Sequence, residues 1–156
     1  MHNFERALDL LPCDASIMSF YGMCLMFAGE PDQGLDWIRK AEELNPLQSQ
    51  WYGWQRGMAH YTACNYEAAL DDLVQILYPP VEVHGWVAAC HAQLGETKLA
   101  EQALERFIAQ AKIEFPRYPG DSEGGWRNYW WWMEPYQRDE DLEHVLEGLR
   151  RAGLQV

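Results

Sequence analysis

The sequence predicts an all-α fold, a right-handed α-solenoid of helix pairs closed by a C-terminal capping helix. Three observations predict it. Phe4-Glu-Arg-Ala7-Leu8-Asp-Leu10-Leu-Pro12 matches Ile38-Arg-Lys-Ala41-Glu-Glu-Leu44-Asn-Pro46 at a spacing of 34 residues, a period at which helix–turn–helix units repeat. Small residues recur in related places: Gly22 and Gly34, then Gly57 and Ala69, then Ala88 and Ala100. Between them, apolar residues at helical spacing alternate with Gly and Pro punctuation.

The elements follow in order. Residues 2–14 read as a partial unit, the second helix of a pair whose first helix is missing. An uncapped solenoid end exposes apolar surface, so the chain is expected to be a fragment of a longer protein. The first full unit spans 15–48. Asp14 is its expected N-cap, and Ile17, Met18, Tyr21, Leu25 and Phe27 give helical spacing. Gly22 permits close approach of the paired helix. Gly29 ends the first helix in the left-handed conformation, and Pro31 opens the second.

The second unit spans 50–80, with Gly57 in the place of Gly22 and Asn65 at the turn, a residue that tolerates left-handed geometry. The third spans 81–111, with Ala88 in the small-residue place and Gly95 at the turn. Gly22 to Gly57 is 35 residues and Gly57 to Ala88 only 31, so the loop at Tyr78-Pro79-Pro80 is shortened. Repeats thus fill 1–111. Residues 112–125 form a loop dense in turn formers. Residues 126–156 hold a short Trp-rich helix, broken at Pro135-Tyr136, and a last helix over 139–152 capped by Gly153.

Composition narrows the function. The chain has 156 residues, 48% of them hydrophobic, enough for a core and too apolar for disorder. A net charge of −12 argues against nucleic acid, which requires a basic footprint. Eight of the twelve Lys and Arg lie after residue 97, so an anionic partner would dock toward the C-terminal end. No apolar run reaches the ~18 residues of a membrane helix, and no signal-peptide pattern opens the chain. The expectation is a cytoplasmic protein without a membrane partner. Cys13, Cys24, Cys64 and Cys90 form no CxxC pair and read as free thiols. His84 and His91 are seven apart, beyond chelating spacing. With no metal site, cofactor, phosphate loop or nucleophile elbow in view, an enzyme is the least expected class.

The units at 15–48, 50–80 and 81–111 resemble tetratricopeptide repeats, on the strength of Gly22, Gly34, Ala41, Gly57, Ala69, Ala88, Ala100 and Pro46. The Trp-x2-Leu-Gly-type opening is degraded. The resemblance implies protein–protein interaction through the concave face lined by first helices. The tail from Pro135 to Leu154, with Leu146-Glu-Gly148-Leu149-Arg-Arg-Ala152-Gly153-Leu154, resembles the C-terminal segment of bacterial signalling proteins that carry a class III adenylate cyclase or winged-helix domain upstream. That implies a regulatory role beside an effector; no catalytic residue carries over.

On the concave face, Met23, Met26, Phe27, Trp51, Trp54, Met58 and Tyr61 are expected to form an apolar groove for a helix or extended peptide. The competing expectation is that the chain's own Trp-rich segment fills it. Lys, Arg and Asn are missing from these places, which excludes a clamp for acidic tails. Trp130, Trp131 and Trp132 are consecutive and cannot share one helical face. They read as an end cap or as the anchor of a homodimer. A small-molecule sensor with an aromatic pocket around Trp51, Trp54 and Trp131 is the third reading.

Overall fold

Helices, turns and loops account for every described residue, and no strand occurs among them. In the computed structural model the described residues are 2–115 and 117–156, without the side chains of His2, Glu5, Ser49 and Asp121. The sequence readings that touch Met1 and Pro116 fall outside the described residues. Two compact units divide the chain, Met1–Ile76 and Leu77–Val156. The division falls at the loop where the repeat spacing contracts.

Unit 1 holds α1 (His2–Leu10), α2 (Ala15–Phe27), α3 (Pro31–Leu44), α4 (Ser49–Thr62) and α5 (Tyr66–Leu73), with a 3-10 turn at Pro46–Gln48. Asp14 caps α2, its carboxylate accepting the Ile17 N–H at 3.0 Å. Pro31 stands in the first turn of α3. Each helix packs on its sequence neighbour, and α2 also packs on α4. The α2–α3 crossing is close because Gly22 meets Gly34. A Cβ on Gly22 would lie 2.7 Å from the Gly34 carbonyl oxygen, and one on Gly34 2.6 Å from that of Gly22.

Unit 2 holds α6 (Val81–Gln93), α7 (Thr97–Glu114), α8 (Gly125–Met133) and α9 (Asp139–Ala152), with a 3-10 turn at Pro119–Asp121. Helix α7 runs past the predicted end at 111. Ala-Lys-Ile-Glu are competent helix formers, and the helix stops at Phe115, whose extended backbone is what a following proline imposes. Helix α6 is apolar around most of its circumference, the pattern of an enclosed helix. It packs on α7 and α9, and none of its residues is exposed.

One turn recurs three times within the pairs. After α2, Gly29 N–H bonds Met26 C=O and Glu30 N–H bonds Leu25 C=O. Cys64 and Asn65 repeat this on Tyr61 and His60, and Gly95 and Glu96 on Ala92 and His91. This is the Schellman pattern, whose C′ residue is left-handed. Gly29, Cys64 and Gly95 have φ of +88°, +62° and +77°. The sequence assigned that role in the second unit to Asn65; Cys64 takes it, and Asn65 has φ −95°. The hydrogen-bond register, not residue tolerance, sets the position. Gly153 ends α9 in the same way.

Candidate interaction surface

The predicted groove residues divide by depth. Met26, Met58 and Tyr61 are core side chains, exposed by 0 to 3%, and offer no surface to an incoming peptide. Their place in the groove is corrected accordingly: helical spacing put them on a shared face, but that face turns into unit 1. Met23, Phe27 and Trp54 are half-buried, and Trp51 is exposed.

One open apolar surface of unit 1 is an aromatic row that the sequence reading named only in part. Phe20 on α2 is 50% exposed and Trp51 on α4 is 40% exposed. Their rings meet edge-on at 6.3 Å, and Trp51 meets Trp54 edge-on at 5.4 Å. Phe20 lies in the 16, 20, 23, 27 stripe of α2, and that spacing was the signal that could have found it.

Beneath the row the α2–α4 seam is imperfectly satisfied. Ser19 Oγ, Trp54 Nε1 and both amide atoms of Gln55 are buried without a hydrogen-bond partner among the described residues.

A second feature of unit 1 was missed. Glu42 and Asp72 both hold Arg56. The guanidinium donates from Nε to both Asp72 oxygens at 3.2 Å, from a terminal nitrogen to Asp72 at 2.5 Å, and from the other to Glu42. Burial alone would lower the Arg56 pKa; the bonds to Asp72 and Glu42 more than offset it and hold it above its ordinary value. The three residues tie α3, α4 and α5 together. Separations of 14 and 16 residues leave no sequence pattern to betray them. In the shallow cleft of about 200 Å3 beside Arg56, two carboxylates share one guanidinium.

In unit 2 the Trp-rich helix faces both ways. Trp130 is fully buried and Trp126 is 4% exposed, whereas Trp131 is 67% and Trp132 74% exposed. Trp130 fills the space that Gly85 leaves open on α6, where a Cβ would lie 2.7 Å from the ring. It also meets Trp86 edge-on at 5.7 Å and Phe107 at 5.9 Å. The Tyr129 hydroxyl donates to Glu82 on α6. Burial raises the Glu134 pKa well above the usual carboxylate range; a hydrogen bond from Trp86 opposes this and the Glu82 charge adds to it. Burial, then the Glu82 bond, raises the Tyr129 pKa. The chain's own segment thus covers the α6 face that in unit 1 corresponds to the open row.

Four of the eight Lys and Arg after residue 97 are matched by carboxylates. Arg127 and Arg150 hold Glu143, Arg138 holds Asp141, and Arg151 holds Glu147. All four cysteines are free. Among the described residues no three His, Cys, Asp or Glu are grouped to hold a metal. None of the helices searched is long and apolar enough to cross a membrane. Of the aromatic-pocket residues, Trp51 and Trp54 belong to unit 1 and Trp131 to unit 2. No known family model matches the chain, and no curated protein is significantly similar to it.

Proposed function

We propose that the chain is a protein-interaction module of tetratricopeptide-like helix pairs, wound as a right-handed solenoid, that binds a peptide or helix along the Phe20–Trp51–Trp54 row. The observation that carries the binding reading is that row: two large aromatics stand open on adjacent helices over a seam of unpartnered polar atoms. Aromatic anchors of this kind dominate protein interfaces. The repeat reading is supported by the turns at Gly29, Cys64 and Gly95. Their spacing of 35 and 31 residues keeps step with Gly22, Gly57 and Ala88. A regulatory or scaffolding place in a bacterial signalling protein rests on the tail resemblance alone.

The test is a displayed peptide library panned on the wild-type chain and on the Phe20→Ser/Trp51→Ser double variant. Both side chains are substantially exposed, so the variant should fold, checked by its circular dichroism melt. Peptides enriched on wild type and lost on the variant support the reading. Equal recovery on both proteins overturns it.

A further inference from the structure

Exposed Trp131 belongs to unit 2. It lines a cleft of about 640 Å3 between α8 and the start of α9, together with Arg127, Asn128, Asp139, Glu140, Leu142 and Glu143. That size suits one or two inserted side chains. The packing of unit 2 does not explain Trp131, since Trp126 and Trp130 already make the inward face of α8.

The charges of the cleft point to one kind of occupant. Its lining has three carboxylates and one guanidinium. Arg127 is tied to Glu143 at 2.9 Å and Arg150 reaches the same carboxylate at 2.7 Å, so that pair is closed. Asp139 makes no ion pair among the described residues. Glu140 has only Arg138, at 3.6 Å and with a 76% exposed side chain. The first-turn position explains why acids stand there, because the helix dipole favours them. It does not explain why they stand beside an uncovered indole.

We propose that this cleft docks an arginine- or lysine-bearing segment of a partner polypeptide. The cationic head lies over the Trp131 ring, within reach of Asp139 and Glu140. An indole face is the strongest aromatic partner for a cation, and carboxylates supply charge-assisted hydrogen bonds. The chain's charge of −12 adds steering toward cationic partners.

The probe is acetyl-Gly-Arg-Gly-Arg-Gly-amide, compared with its citrulline counterpart, which keeps the shape and loses the charge. Both are titrated into the full chain at low salt while the indole N–H resonances are followed by NMR. The arginine peptide should shift the Trp131 indole and bind about tenfold tighter than the citrulline one. Trp131→Ala, and separately Asp139→Asn/Glu140→Gln, should bring its affinity down to the citrulline level, while Trp132→Ala and the Phe20/Trp51 variant leave it unchanged. Equal affinities for the two peptides, no binding by the wild type, or no effect of Trp131→Ala would overturn the proposal. So would light scattering in which Trp131→Ala turns a dimer into a monomer, which would make a second copy the occupant.

Discussion

Helices α2 and α6 are alike in composition and opposite in fate. Both are apolar around most of their circumference, and both open a helix pair. Helix α6 is wrapped by α7, α9 and the Trp130 side of α8, and none of its residues is exposed. Helix α2 packs on α1, α3 and α4, yet Phe20 is left half in solvent. The same pattern is therefore a finished core in one unit and a partly open face in the other. An all-round apolar helix announces that it needs cover on every side; it does not say which segment supplies it.

That contrast can be broken at Trp130. Trp130→Ala should destabilise unit 2 by about 3–5 kcal/mol, as deletion of a fully buried Trp does. Urea denaturation, with amide exchange followed in α6, measures it. A loss under about 1 kcal/mol would mean that α8 is not the cover of α6. In unit 1 the tie is ionic. Arg56→Met should cost about 1–3 kcal/mol through the stranded Asp72 and Glu42 carboxylates, with lowered amide protection in α3 and α5. An unchanged melt would leave packing alone to hold those helices.

The buried carboxyl of Glu134 sharpens the comparison through pH. Its folded pKa is raised above the ordinary 4.5, so above that value the folded state binds more protons than the unfolded one. The stability it contributes is complete below the ordinary value and is lost as pH rises through the folded pKa. Half-buried His84 and His144, whose pKa values are lowered by burial, act oppositely, losing stability as pH falls below 6.5. The informative quantity is therefore the difference between wild type and Glu134→Gln, which should move in favour of the variant as pH rises. A difference constant from pH 4 to 9 would place Glu134 in contact with water.

Two smaller effects complete the series. Cys64→Gly should stabilise unit 1 by about 0.5–1 kcal/mol by relieving a left-handed non-glycine residue, seen as a higher melting temperature; a lower one would mean that the thiol has its own packing role. Trp131→Ala, one residue from Trp130, should stay within about 0.5 kcal/mol of wild type. A larger loss would show that its ring is part of the fold and not a free surface.

Local chemistry carried far in the sequence. The Asp14 cap, the Gly29, Gly95 and Gly153 turns, the Gly22–Gly34 crossing and the bounds of α9 all depend on residues near one another along the chain, or on a small residue that leaves little choice. The candidate surface was less legible. Trp51 and Trp54 were named and Phe20 was not, while Met26, Met58 and Tyr61 were assigned to a face that turns out to be interior. A helical stripe specifies which residues share a face, not whether that face meets solvent.

By itself, then, the sequence determined that this chain is all-helical, where most helices begin and end, and which small residues permit close crossings. Each of those depends on backbone geometry within a turn or two. Only the tertiary structure decided that Arg56 joins Glu42 and Asp72, that Cys64 and not Asn65 is left-handed, and that Trp130 turns inward while Trp131 turns outward. It also decided that Phe20 and Trp51 are left uncovered. Those outcomes depend on which distant segments reach a given face, and burial is a property of that assembly rather than of any stretch of residues.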